Sequence, residues 1–327
     1  MASKYQGQSN FDRNKMCGTF TMKLKDLKDP RIVIMAQPVV TPSVVDASKF
    51  APGDNTTLAT IIGGVRYINP AAAAAAKFKQ FDPATYATDR PYGAVVGALY
   101  GLYDTSSVYV GIPIAYSNND FQYNINGSGT QSTSNNNYVS YLRRDIYDNP
   151  KGDLLKERMA SYAEICFDLA EAAQRGWNVN HTADEWYYMG IQASFDTWQV
   201  FSSYQSDVNN YYGCVKNYND YIAQPNVAYN GTLQRIIEQK WIAAWQACNE
   251  AWMDWRRTGF PTLGIGWASY RGQIPVRFAY HPSELQNNPT NANAAITLLQ
   301  PSAYVATDGN NSCWSKPWLL QGTTKPW

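Results

Sequence analysis

The chain has 327 residues with 27 basic against 26 acidic side chains, a formal charge of +1, so it lacks the electrostatic footprint of a nucleic-acid binder or of a protein held to an anionic membrane. That length can bury a sizeable core, in one larger helical domain or in two smaller ones. The compositional bias is aromatic: 24 Tyr and 11 Trp stand among many Asn, Gln, Ser and Thr, and rings with a flat apolar face and a polar edge suit pyranose sugars, protein interfaces and ordinary cores alike.

In chain order, MASKYQGQSN has no signal-peptide apolar core, and no later segment approaches the roughly 20 apolar residues that span a bilayer, so the expectation is a chain soluble as it stands. Thr19 to Leu27 has helical character, and Asp29-Pro30 breaks it before the β-branched run Arg31 to Val40. An Asp that caps a turn and an Arg that pairs nearby give Asp29 and Arg31 a structural role. Residues 51–147 are loop-rich, apart from Pro70 to Lys77, whose six alanines predict a surface helical turn. Val108 to Ile114 predicts a short strand. Beyond it Asn, Ser, Gly and Tyr dominate for about 25 residues without periodicity, a length uncommon in a compact domain unless the loop is functional or disordered.

This loop is the leading candidate site. Tyr116, Phe121, Tyr123, Tyr138 and Tyr141 offer stacking faces, and Asn118, Asn119 and Asp120 offer hydrogen-bonding groups matched to vicinal hydroxyls. A mobile polar loop anchored by its tyrosines is the competing reading.

Residues 153–263 form the predicted helical core. Asp153 caps a first helix with the stripe Leu155, Met159, Tyr162, Cys166, Leu169 and Ala173, ending at Gly176. Trp177 follows in the turn, as a ligand platform or as the hydrophobic contact of a helix C-cap. A capping box, Thr182 with Glu185, opens a second helix. The short break between them permits an antiparallel pair, the unit of helical solenoids. Glu164 and Glu171 lie seven apart on one helix face, which raises an acid/base pair for glycoside hydrolysis; a solvated helix surface explains them more simply. A Tyr/Asn-rich connection over 203–230 carries a short helix near Cys214 to Ile222.

Then comes GTLQRIIEQKWIAAWQACNEAWMDWRRTGFPTL, residues 231–263. Thr232 caps, Arg256 and Arg257 suit the last turn, Gly259 stops and Pro261 forbids continuation, which predicts one helix of about 26 residues, roughly 39 Å long. Leu233, Ile236, Ile237, Trp241, Ala244, Trp245, Cys248, Trp252 and Trp255 form its core face. Arg235, Glu238, Lys240, Glu250 and Asp254 form its solvated flank. Ile274 to Tyr280 is extended, His281 is a polar loop residue, and the tail CWSKPWLLQGTTKPW docks on the body.

Five cysteines (Cys17, Cys166, Cys214, Cys248, Cys313) and two histidines (His181, His281) show no CxxC or Cys/His spacing, which argues against zinc, and the odd count argues against a fully paired disulfide set. There is no Gly-rich phosphate loop and no GxSxG elbow, so neither a cofactor nor nucleophilic hydrolysis is expected.

The run QKWIAAWQACNEAWMDWRRTGFPTL resembles the C-terminal signature of the SusD/RagB family of outer-membrane nutrient-binding lipoproteins. The resemblance extends to Asp29-Pro30-Arg31, VYVGIPI, the pair SYAEICFDLAEAAQRGW and EWYYMGIQASFDTW, Pro282-Ser-Glu284 with Asn288, Asn291 and Asn293, and the tryptophan tail. It implies a mainly α, SusD-like fold over residues 1–327, with tetratricopeptide-like helix pairs and long irregular ligand loops. It further implies capture of an oligosaccharide or peptide at the cell surface, without catalysis, and delivery to a TonB-dependent SusC-like transporter. Against the family pattern the chain lacks the signal peptide, the lipid-bearing cysteine and the first helices. A helical glycoside hydrolase, or an interaction protein that uses its tyrosine-rich loop, are the alternatives in other functional classes.

Overall fold

The computed structural model describes residues 14–76, 78–80, 101–103, 108–112, 122–123, 139–147, 154–155, 158–264 and 273–323, with backbone alone for 78–80, 101–103 and 122–123. The fold is mainly helical. Two short helices open it, α1 (Gly18–Asp26) and α2 (Ile32–Met35), followed by α3 (Pro70–Ala75) and α4 (Arg144–Tyr147). The central body is α5 (Tyr162–Gln174), α6 (Ala183–Thr197), α7 (Gln205–Asn210), α8 (Tyr218–Ile222), α9 (Leu233–Ala243) and α10 (Cys248–Thr258); α11 (Pro282–Asn287) and α12 (Pro289–Thr297) close the chain. The sheets are small. β1 (Ser43–Val45) pairs parallel with β3 (Val65–Ile68), and β3 pairs antiparallel with β2 (Ala59–Ile62). β4 (Phe78–Gln80), β5 (Gly101–Tyr103) and β6 (Gln122–Tyr123) make a parallel trio.

Helices α5 and α6 form the expected pair. Phe167 packs on Tyr187 with ring centroids 6.1 Å apart, and a Cβ at Gly190 would stand only 2.8 Å from the Phe167 ring, so glycine there lets the two helices approach. The Thr182–Glu185 capping box is present, with the Thr182 amide donating to Glu185 Oε2 at 2.9 Å. The start of α5 differs from the Asp153 prediction: Ser161 caps it, with Glu164 completing the box, and Met159 is fully exposed. The box satisfies two free amides, that of Glu164 through the Ser161 hydroxyl and that of Ser161 through the Glu164 carboxylate, and this local gain fixes the boundary better than the upstream apolar positions do.

The larger departure lies in the predicted 26-residue helix. Thr232 caps α9 and Gly259, at φ 83°, ends α10, but Ala244 to Ala247 form a turn in which Gln246 takes φ 77°. Lys240 Nζ sits 2.8 Å from both Asp254 and Asp168. In a straight helix residues 240 and 254 would stand about 21 Å apart, beyond the reach of either side chain, so this ion pair requires the break. The turn also places Trp245 against Phe20, stacked at 4.6 Å, and on the Tyr147 hydroxyl. The spacing of three and four continues through the break, which is why the sequence pattern reads as one helix.

The flank of this region is not solvated as expected: Glu238, Lys240 and Asp254 are buried. Glu171 on α5 receives hydrogen bonds from Arg175 and from Arg257, which also reaches Asp254 at 2.7 Å. Burial works against the Glu171 carboxylate, but the hydrogen bonds and charges of Arg257 and Arg175 outweigh it and hold its pKa below the ordinary glutamate value. A carboxylate whose folded pKa is depressed contributes stability above its unfolded pKa and loses it as pH falls through the folded value. Denaturation midpoints should therefore drop through the acidic carboxylate range. Glu171→Gln should cost about 1–2 kcal/mol at neutral pH and flatten that drop.

The short sequence features resolve as follows. The β-branched run after Pro30 begins as the buried helix α2. The alanine run is capped by Asn69 and packs inward through Ala72 and Ala73, so it is a half-buried helix rather than a surface one. His281 caps α11 by accepting from the Ser283 amide. In the tail, Trp314 donates to the Gln273 carbonyl and Leu320 is buried, while Trp318 is exposed.

A main core joins α1, α2, α4, α5, α6, α8 and α9 through Phe20, Ile34, Tyr147, Phe167, Tyr187, Tyr221 and Ile236. Within it lies a buried polar knot. Asp29 accepts from the Arg31 amide at 2.9 Å and from its guanidinium, and Tyr221 donates to Asp29 Oδ2 at 2.7 Å. Arg31 also donates to Ser194 on α6 at 2.8 Å and to Gln239 on α9 at 3.1 Å. Burial, reinforced by the charge of Asp29, pushes the Tyr221 hydroxyl well above its usual range and keeps it a proton donor. The structural role expected of Asp29 and Arg31 is the one observed.

Candidate functional site

The two ends of the candidate loop are anchored firmly. Residues 108–112 and 139–142 lie against residues 14–17 and 36–39 in a small lattice of extended backbone. Ile112 donates to Met16 at 2.8 Å, Met16 to Ser140 at 2.9 Å, Ser140 to Val110 at 2.8 Å, Val39 to Val108 at 2.8 Å and Gln37 to Tyr141 at 2.8 Å. The strand predicted at Val108 to Ile114 is reduced, among the described residues, to a bridge between Cys17 and Ile112.

A cleft of about 460 Å³ opens beside these stems. One wall is Val33, Gln37, Val108 and Tyr109; the other comes from residues 207–213 at the end of α7. Between them stands Arg143, at the entry to α4. Its Nε and Nη2 hold the two oxygens of Asp145 at 2.9 and 3.0 Å, and its Nη1 donates to the Val33 carbonyl at 3.0 Å and meets Asp207 at 3.2 Å. The guanidinium also lies 4.9 Å from the Tyr204 ring centroid. Tyr109 and Tyr211 meet edge to face at 4.8 Å, with Tyr109 buried. Burial, then the neighbouring Cys214, push the Tyr211 hydroxyl upward. Next to them Tyr212 is 96% exposed. The cleft thus offers one free aromatic face, two carboxylates and Asn210 within a single concavity, a mixture suited to a polyhydroxylated ligand.

A second depression of about 450 Å³ lies over the break between α9 and α10, walled by Phe20, Trp241, Trp245, Trp252 and Trp255. Its lining is apolar, with few groups to fix a ligand's orientation. Core packing, expected for these tryptophans, holds for Trp255, whereas Trp241, Trp245 and Trp252 are half-buried on the groove.

The sequence-derived candidates fare unevenly. Tyr116, Asn118, Asn119, Asp120, Phe121 and Tyr138 lie outside the described residues, and Tyr123 enters only as the second residue of β6. Tyr141 is buried in the loop stem with Lys15 Nζ 3.4 Å from its ring centroid, so it anchors the loop and presents no binding face. Trp177 is 69% exposed, and its amide donates to the Ala172 carbonyl as part of the α5 C-cap. It does not line the cleft. The residues that do, Arg143, Asp145, Asp207, Asn210 and Tyr212, were not singled out from sequence. The Tyr/Asn-rich composition of 203–230 was the only local signal for Asp207, Asn210 and Tyr212, and Arg143 and Asp145 had none. Glu164 and Glu171 are both committed elsewhere, one to a helix cap and the other to two arginines. Among the described residues no helix is long and apolar enough to cross a membrane.

Comparison with known proteins identifies the fold and the family. No curated protein matches the chain. Two solved SusD homologues from Bacteroides fragilis align with it at TM-scores of 0.51 and 0.54, with 21% and 17% identity over 92% and 94% of the chain and 50% and 52% of their own. A chitin-binding protein aligns at 0.50, with 20% identity over 92% of the chain and 49% of its own. The chain therefore spans about half the length of these structures, and at such identities the likeness is one of fold. The SusD-like family model described as starch-binding and associating with the outer membrane matches residues 99–281. That match covers more than half of the chain and includes the loop, both of its stems, the α5–α6 pair and the broken helix: the chain belongs to the SusD-like family.

Proposed function

We propose that the protein captures oligosaccharides at the cell surface without chemical turnover and passes them to a TonB-dependent, SusC-like transporter. The observation that carries this reading is the cleft at the root of the 113–138 loop, where an exposed Tyr212 stands beside Asp207, Asn210 and Asp145. A tyrosine face binds a pyranose ring by apolar burial, and carboxylate and amide oxygens accept from its hydroxyls. Moderate affinity from such an open cleft with polar groups on its walls would allow release to a transporter. The loop residues Tyr116, Asn118, Asn119, Asp120, Phe121, Tyr123 and Tyr138 belong to the proposal on their chemistry. The family's starch-binding description and the chitin-binding neighbour support a glycan over a peptide. Engagement of Glu164 and Glu171 in structural roles supports binding over hydrolysis.

The test is calorimetry against a panel of glycans and peptides, with product analysis of each mixture. Tyr212→Ala should weaken glycan binding about tenfold, the loss of one stacking partner, and leave the melting temperature unchanged because the ring is exposed. Tight peptide binding with no glycan binding, or steady release of shorter sugars, would overturn the proposal.

A further inference from the structure

Among the described lining residues Arg143 is the only cation, and its three nitrogens are all engaged, by Asp145, Asp207 and the Val33 carbonyl. Two other cations near the cleft are held by backbone carbonyls: Lys25 Nζ donates to the Tyr109 carbonyl, and Lys216 Nζ to the carbonyls of Val208 and Tyr211. The two carboxylates are the accessible members of the triad, with side-chain exposures of 62% for Asp145 and 42% for Asp207, against 17% for Arg143. The second oxygen of Asp207 has no partner among the described residues.

We infer that the Arg143–Asp145–Asp207 triad makes the cleft selective for neutral glycans and excludes anionic ones, an inference that rests on the glycan-binding reading above. Arginine is the side chain that recognises carboxylates and sulfates by paired hydrogen bonds. Here its fork is already filled by Asp145, so a uronate or a sulfated sugar finds no donor pair. It meets instead two carboxylates, whose like charge repels it at close range, the usual way a site rejects a wrong ligand. A neutral sugar supplies hydroxyl donors to those same oxygens. Arg143 acts as a positioning residue: one guanidinium fixes Asp145 on α4 and Asp207 on α7, so the spacing of two acceptors on different elements is set by a single group.

The inference predicts an exchange of specificity. Three hexamers serve as probes, maltohexaose and chitohexaose as neutral sugars and oligogalacturonate as the anionic one, measured by calorimetry at low salt. The unaltered chain should bind at least one neutral probe at least tenfold more tightly than oligogalacturonate. The double variant Asp145→Asn/Asp207→Asn leaves the Arg143 charge uncompensated. It should lose about tenfold toward the neutral probe and gain at least tenfold toward oligogalacturonate. Each single variant should shift the ratio in the same direction by a smaller factor, which keeps the test intact if the double variant folds poorly. Neutral binding unchanged in all three variants, or a preference of the unaltered chain for oligogalacturonate, overturns the inference and leaves glycan capture standing. A folded chain that binds none of the three probes and no other glycan of the panel overturns both.

Discussion

Replacing Asp29 by alanine should destabilise the protein by about 3–5 kcal/mol, because it leaves the fully buried guanidinium of Arg31 without its counter-ion. That is a large share of the roughly 5–15 kcal/mol by which a domain is ordinarily stable. The effect should spread beyond one contact. Arg31 joins the segment after α1 to Ser194 on α6, Tyr221 on α8 and Gln239 on α9, so the loss also leaves the Tyr221 hydroxyl without its carboxylate acceptor. The paired replacement Asp29→Leu/Arg31→Met, which removes both charges, should recover part of the loss. Removal of a whole buried ion pair is milder than removal of half of it. Urea denaturation of the two variants and the parent checks the ordering, and a double variant no more stable than Asp29→Ala would show that hydrogen bonds, not the uncompensated charge, dominate the knot.

How much of this was legible in the sequence depended on whether the deciding interaction was local. Thr182 with Glu185, Thr232, Gly176 and Gly259 act within one helical turn, and each was read correctly as a start or a stop. The break at Gln246 carries neither glycine nor proline, and what holds it is distant in sequence: Lys240 to Asp168 and Asp254, Trp245 to Phe20 and Tyr147. Burial of Lys240, Asp254 and Glu238 has the same origin, since a charge reads as solvated until its partners are known. Asp29 and Arg31 could be assigned a structural role because their first contact is two residues away, while Ser194, Tyr221 and Gln239 could not be foreseen. The cleft is the extreme case. Val33, Tyr109, Arg143, Asp207 and Tyr212 come from four separate stretches, and no spacing rule joins them.

Gly111→Ala should be nearly as costly, about 3 kcal/mol, at the upper end for overpacking, and its effect should reach the cleft. A Cβ at this position would stand 2.6 Å from the Gly18 Cα and 2.7 Å from the carbonyl carbon and oxygen of Cys17. All three are backbone atoms, which cannot rotate aside as a side chain can. Relief requires residues 16–18 to draw back from residues 110–112, at the expense of the Ile112 to Met16 and Gly18 to Ile112 hydrogen bonds, at 2.8 and 2.6 Å. Glycine is needed there for close approach of two backbone segments and not for a left-handed φ. Gly53→Ala is the matching control, because its φ of 81° carries backbone strain but no atom of the described residues lies within 4 Å of the added carbon; it should cost about 1 kcal/mol and leave ligand binding alone. The loop stems share the lattice that Gly111 helps to close, and Ser140 ties Val110 to the extended segment that leads into Tyr141, Leu142 and Arg143. A shift of residues 108–112 therefore moves Val108 and Tyr109 relative to Arg143, which lines the same cleft. Gly111→Ala should weaken glycan binding even under conditions where it stays folded, and a variant that melts early yet binds with full affinity would separate the stems from the site.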